Sequence, residues 1–296
     1  MGEKVAFIGL GEMGAPMAGH LARAGFDVAV TNRNPRKAEA WAEEHGGRVA
    51  RSAADAVEGA TFVASCVIAD DDVRAVCVGK GGAFAAMDEG SVFVDHSTTS
   101  AGLAREMSAD AAKRGLGFLD APVAGAGEGA RAGTLAVMAG GEAAAFAKAK
   151  PFIDCYSATV VHLGPSGHGQ LTKMVNQILI SANMEALAEG IFFADETGLD
   201  VAKALDTISA GTASSWWLEN RAERMRERDF RTDEGGVDVM VKDLALVLEE
   251  ARRMSVSLPV TALVGQFWTE MQSRGQGRWE AMALITLLGK LGGKTR

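Results

Sequence analysis

Three groups of residues in this chain combine types and spacings that suit chemistry. Gly9-Leu10-Gly11-Glu12-Met13-Gly14 fits the pattern G-x-G-x-x-G, directly after the apolar run VAFI and directly before a stretch with helical periodicity. In that setting the first glycine permits a tight turn, the second lets the main chain approach a pyrophosphate, and the third permits close helix packing. The helix N-terminus then offers N–H groups and a positive dipole end to the phosphates. The pattern predicts a dinucleotide site built on Gly9 through Gly14, with Pro16 tolerated in the first helical turn.

The second group, Asn32-Arg33, ends the next apolar run. A carboxylate at this place accepts from the ribose 2′-hydroxyl of NAD, whereas a nearby Arg accommodates the 2′-phosphate of NADP. With no acid here, Asn32 can hydrogen-bond to the phosphate and Arg33 can supply charge and a planar stack on adenine. NADP is the preferred cofactor; a solvated Arg33 ahead of Pro35, beside a neutral Asn32, leaves NAD possible. The third group is Lys173, Asn176 and Gln177, at i, i+3 and i+4 of a predicted helix that opens at a glycine turn. Two readings of Lys173 stand on residue chemistry alone: a solvated surface charge, or one wall of a polar cleft whose other side is apolar (Met174, Val175, Ile178, Leu179).

Those groups need a sheet and helices to hold them. From Val5 to about Leu163, short apolar runs such as VAFIGL, DVAVTN, TFVASCVI, SVFVDHS, LGFLDAPV, TLAVMAGG and ATVVHLG alternate with amphipathic stretches, the pattern of βαβ units in a parallel sheet. Beyond Gly164 the period becomes helical, first over Gly169 to Thr197, with Gly198 as stop, a span of about 40 Å that can link two domains. Helical patterns follow near Val201 to Ile208, Trp216 to Arg228, Val239 to Met254 and Pro259 to Gln272. The expected architecture is α/β: a doubly wound Rossmann-type domain over 1–164, then an all-α domain over 165–296, joined by a long interdomain helix.

A chain of 296 residues accommodates two such cores. Its net charge of −8 argues against general affinity for nucleic acid or anionic membrane, so a phosphate site must be local. Cys66, Cys77 and Cys155 show no disulfide or zinc-ligand spacing, which fits a reducing cytoplasm and no metal. MGEKVAFIGL has too short an apolar run for a signal peptide or membrane span, so no targeting segment is expected.

GLGEMGAPMAGHL, DAPVAGAGEGARAGTL, GHGQLTKMVNQ and VKDL, in that order, resemble the four motifs of the β-hydroxyacid dehydrogenase family. The resemblance covers nearly the whole chain and implies a homodimer or homotetramer. It makes Lys173 the catalytic lysine with Asn176 beside it; Gln177 stands where many members have a second Asn. It also makes Thr98 a contact near the nicotinamide, Lys242 a cofactor-contacting lysine with Asp243 as its orienting carboxylate, and Pro122 to Gly125 (with Val123, Ala124 and Gly125) the loop for a substrate carboxylate. The commoner SGG is here Ala124-Gly125-Ala126, so the Ser hydroxyl is missing. Trp216 lies where some relatives place a substrate-facing aromatic, although a helical Trp more often belongs to a core.

The implied activity is hydride transfer between a nicotinamide and a small β-hydroxy acid or semialdehyde, with Lys173 as general acid and base. An imine reductase on the same architecture and a catalytically silent dinucleotide-binding scaffold are the alternatives. Retention of Lys173 favours carbonyl chemistry over both.

Overall fold

The computed structural model describes residues 2–228, 230 and 236–289. The chain divides into two compact units, Met1–Lys173 and Met174–Arg296.

In the first unit β1 (Lys4–Ile8), β2 (Asp27–Thr31), β3 (Arg48–Val49), β4 (Phe62–Ser65), β5 (Val92–Asp95) and β6 (Gly117–Asp120) pair in parallel in the order β3-β2-β1-β4-β5-β6. This is the order of a doubly wound dinucleotide-binding sheet, and the reversal of direction between β1 and β4 opens a crevice at their carboxyl ends. Helices α1 (Gly14–Arg23), α2 (Pro35–His45), α3 (Ala53–Ala56), α4 (Asp70–Val78) and α5 (Ala101–Ala112) occupy the crossovers. Successive strand residues point to opposite faces. Val5 and Phe7 accordingly join one core with Met17, Leu21 and Trp41, while Ala6 and Ile8 join another with Val73, Leu103 and Met107. Both faces are covered, which is why the strands read as unbroken apolar runs rather than alternating ones.

The sheet continues through β7 (Val123–Ala124), α6 (Ala126–Ala132), β8 (Leu135–Gly141), α7 (Ala143–Ile153) and β9 (Ser157–His162). Here the expectation of an all-parallel sheet fails: β8 runs antiparallel to β6 and β7, and only β9 lies parallel to it. The connection from β7 to β8 holds one short helix, too little chain for a parallel crossover. The run LGFLDAPV is also divided, because Pro122 has no N–H for the ladder and its carbonyl instead accepts from Met138 N at 3.0 Å.

The helix α8 (His168–Glu196) starts in the first unit and continues in the second. The second unit adds α9 (Val201–Ser209), α10 (Trp216–Glu227), α11 (Gly236–Arg253), α12 (Pro259–Ser273) and a 3-10 segment at Ala281–Leu287, and among its described residues the regular elements are all helical. Its core gathers Met225, Val237, Leu244 and the fully buried Trp268, whose indole N–H donates to Ala281 O at 2.9 Å. Among the described residues, no helix is long and apolar enough to cross a membrane.

Candidate active site

At the carboxyl ends of β1, β2 and β4 the first unit contains a cleft of about 580 Å³. Gly9 sits at its head with φ +94°, and a side chain there would run into the carbonyl of Cys66. A Cβ at Gly11, by contrast, would meet no protein atom within 4 Å. The space in front of Gly11 is therefore open to a ligand, as a close approach by a pyrophosphate requires. Met13 precedes α1, whose N-terminus has no side-chain cap and no acidic residue in its first turn, so its positive end is left for an anion. Glu12 lies 3.9 Å from Arg131, outside that turn. These features fit a dinucleotide.

Asn32 has a structural duty that spacing did not reveal. Its Oδ1 accepts from Leu10 N at 2.9 Å and its Nδ2 donates to Asn34 O at 3.0 Å, so it ties the glycine loop to the start of α2. Arg33 is exposed, 3.5 Å from Asp72. Lys37, Arg51, Ser52 and Lys80 line the same cleft and were not singled out in the sequence. They come from α2, the turn before α3 and the turn after α4, separate in sequence, so no local pattern joins them.

The loops after β5 and β6 meet the first turn of α8. Asp120, at the end of β6 and fully buried, accepts from Gly167 N at 2.8 Å and from Gln170 N at 2.9 Å. Burial pushes its carboxyl up, while these main-chain donors pull it down. Gln170 is buried too: its Oε1 accepts from Thr99 N at 3.0 Å and its Nε2 donates to Ser97 O at 2.8 Å. Between those two clamped residues Thr98 keeps partial exposure. One turn beyond Gln170 stands Lys173, with 9% of its surface exposed, so the solvated-charge reading of this lysine does not hold.

Two buried groups brace the loop after β5 from behind. Asp95 Oδ1 accepts from Ser97 Oγ at 2.6 Å and from Ser65 Oγ at 2.8 Å, and burial pushes its pKa up to about 6. His96 places Nδ1 2.7 Å from Ala121 O and Nε2 2.8 Å from Tyr156 Oη, with its pKa lowered by burial to about 4. A neutral imidazole facing a carbonyl must donate there, so Nε2 accepts from the Tyr156 hydroxyl.

Of the loop expected to meet the substrate, Val123 and Ala124 pair with Val137 and Ala136 in the sheet. Gly125 (φ +131°) and Ala126 (φ +51°) make the turn into α6. In the second unit Asn176 Nδ2 donates to Gln177 Oε1 at 2.8 Å, Gln177 Nε2 donates to Asp243 Oδ2 at 2.6 Å, and Lys242 Nζ lies 3.0 Å from Asp243 Oδ1. The GHGQLTKMVNQ and VKDL segments thus meet through one buried carboxylate. Trp216 is exposed at the start of α10, edge-on to Trp217 at 5.4 Å and covered on one side by Arg221 at 4.8 Å, and it is not a core residue.

Residues 4–164 match the family described as the NAD binding domain of 6-phosphogluconate dehydrogenase, and residues 167–288 match that described as NAD-binding of NADP-dependent 3-hydroxyisobutyrate dehydrogenase. An uncharacterized oxidoreductase of Shewanella frigidimarina is 48% identical over 97% of this chain and 98% of its own length. The 2-hydroxy-3-oxopropionate reductase of Escherichia coli is 34% identical over 96% of this chain and 97% of its own. The crystal structure of a 3-hydroxyisobutyrate dehydrogenase from Salmonella typhimurium superposes with a TM-score of 0.86 at 29% identity, covering 97% of this chain and 100% of that one. The chain belongs to the β-hydroxyacid dehydrogenase family and is an NAD(P)-dependent dehydrogenase of the 3-hydroxyisobutyrate dehydrogenase type.

Proposed function

We propose that this dehydrogenase uses NADP in preference to NAD and interconverts small β-hydroxy acids and semialdehydes, with Lys173 as the proton-transfer group. The observation that carries the reading is a lysine held almost out of water on a helical turn that buried Asp120 and Gln170 anchor to the sheet. Burial of this kind is uncommon for a lysine and places its ammonium where water competes little for a substrate oxygen.

The bound nicotinamide supplies the hydride in reduction and accepts it in oxidation. Gly9 through Gly14 and the open end of α1 hold its pyrophosphate, and Thr98 contacts the nicotinamide end. Lys173 Nζ, hydrogen-bonded to the substrate carbonyl oxygen, polarises it and donates a proton; in oxidation the neutral amine takes the hydroxyl proton. Asn176, one turn along the same helix, orients the substrate oxygen with Lys173, and Gln177 steadies Asn176 through its carbonyl. Lys242 contacts the cofactor, oriented by Asp243. Main-chain N–H groups of the turn at Gly125 receive the substrate carboxylate beside Val123 and Ala124, and Trp216 is a substrate-contacting aromatic.

Preference for NADP is supported by four cations lining the cleft, Arg33, Lys37, Arg51 and Lys80, against one acid, Asp72. The family matched by residues 167–288 carries NADP in its description as well. Two or four copies are the expected assembly, since Val175, Leu179 and Phe193 leave apolar area exposed along α8; sedimentation velocity measures it. The free cysteines fit a reducing compartment, the cytoplasm.

Turnover of 3-hydroxyisobutyrate with NADP+ and NAD+, and of 2-hydroxy-3-oxopropionate or a small cyclic imine with NADPH and NADH, tests the whole reading. The expected result is turnover of the acids with the 2′-phosphorylated cofactor preferred. Turnover of the imine alone, or cofactor binding with no turnover of any compound, overturns it.

A further inference from the structure

We infer that Gln170 is a positioning residue for the reaction: its carboxamide locks the Ser97–Thr99 loop to the first turn of α8, so that Thr98 and Lys173 keep one fixed separation. The inference rests on the roles given above to Thr98 and Lys173.

Hydride and proton arrive at the two atoms of one carbonyl, about 1.2 Å apart. The groups that place them belong to different elements, Thr98 to the loop after β5 and Lys173 to α8. A loop is ordinarily the more mobile partner in such a pair. Gln170 removes that freedom by using both ends of its side chain on one loop, accepting from Thr99 N at 3.0 Å and donating to Ser97 O at 2.8 Å. The two bonds straddle Thr98, so the loop can neither twist nor slide along α8 without breaking one of them. The helical end of the clamp is itself fixed, because the Gln170 main-chain N–H donates to buried Asp120, which also holds Gly167. Lys173 follows three residues later on the same helical face. From Thr98 to Lys173 the path runs through buried hydrogen bonds and one helical turn.

A carboxamide that only stabilised the fold would alter melting and leave the chemical step alone. The test is therefore Gln170→Met, close in volume but unable to make either bond, with Gln170→Glu as a second variant that keeps an acceptor for Thr99 N–H and loses the donor to Ser97 O. A misplacement of about 1 Å costs on the order of a hundredfold in rate. For Gln170→Met, kcat with NADPH and 2-hydroxy-3-oxopropionate should fall about ten- to a hundredfold, while KM for NADPH stays within about twofold. The kinetic isotope effect with 4-deuterated NADPH should rise and the Thr99 amide should exchange faster. Gln170→Glu should fall between Met and wild type in kcat, and it decides the matter alone if the Met variant does not fold. Wild-type kcat in the folded variants, with or without faster Thr99 exchange, overturns the positioning role, as does a loss of kcat with Thr99 exchange and isotope effect unchanged. Lys173→Ala runs in parallel. Loss there beside wild-type turnover in the Gln170 variants sinks the clamp alone, whereas turnover retained in Lys173→Ala sinks the lysine reading and the separation argued from it.

Discussion

Lys173 keeps only 9% of its surface in water, where burial strengthens any hydrogen bond its side chain makes to a substrate oxygen. Lys173→Ala should lower kcat on the order of a hundredfold or more, as for removal of a general acid, with little change in the dissociation constant of NADPH measured by fluorescence. Near-wild-type turnover would refute the assignment. Arg33 and Arg51 are in the opposite condition, long exposed side chains lining an open cleft, each beside a carboxylate, Asp72 and Asp55. Such pairs are weak in water, so both guanidinium groups are easily drawn to a phosphate. Arg33→Ala and Arg51→Ala should each raise KM for NADPH by roughly tenfold, the worth of about 1.5 kcal/mol in one charge-assisted hydrogen bond, and change KM for NADH little. Equal effects on the two cofactors would show that neither reads the 2′-phosphate. The glycine motif could be read locally, from a strand, a turn and a helix start in sequence, whereas Lys173 stood between two readings until the four-motif resemblance assigned it a role. Arg51, Asp120 and Gln170 were not legible, because each acts through a partner that only the sheet brings near; Asp120 meets Gly167 across 47 positions.

The turn from β7 into α6 places Ala126 at φ +51°, where an alanine side chain crowds its own carbonyl. A non-glycine residue held in that region costs about 1–2 kcal/mol, offset in part by the smaller backbone entropy alanine loses on folding. Ala126→Gly should therefore stabilise the first unit by about 0.5–1 kcal/mol, seen as a rise in Tm of about 1–4 °C. An unchanged or lower Tm would mean that the surrounding turn relaxes the strain. Where an element depends on its own residues, as β1, β2 or the long α8 does, the sequence reading came close. It failed at β8, whose run TLAVMAGG looks like any other buried strand; direction there is decided by the short connection from β7, which periodicity does not contain. The described part of α11 runs over Gly236–Arg253, close to the helical pattern read near Val239 to Met254. Gly236 lies against Glu280 and Ala281, distant in sequence.

Across the whole molecule, the buried titratable groups pull stability in opposite directions with pH. His96, lowered to about 4 by burial, stays neutral in the fold while the unfolded chain takes up a proton near pH 6.5, so its contribution is lost as pH falls through that window. Asp95 and Glu185 act the other way. Burial raises Asp95 to about 6; burial, and then Glu189, raises Glu185 to about 7. For both, the unfolded chain ionises first. Their contribution is full below the ordinary carboxylate range and is lost as pH rises through about 6 and about 7 respectively. Between about pH 6 and 7 the His96 and Glu185 contributions change in opposite directions. Glu185 is also the more exposed to this cost: among the described residues neither of its oxygens has a hydrogen-bond partner, whereas Asp95 is held by Ser65 and Ser97. Glu185→Gln keeps the shape and removes the ionisation, so it should raise Tm at pH 8 and change it little at pH 5, by about 2–4 °C for each kcal/mol relieved. Scanning calorimetry of both proteins at the two pH values decides the point. An equal shift at both would mean that Glu185 is not the group that ionises.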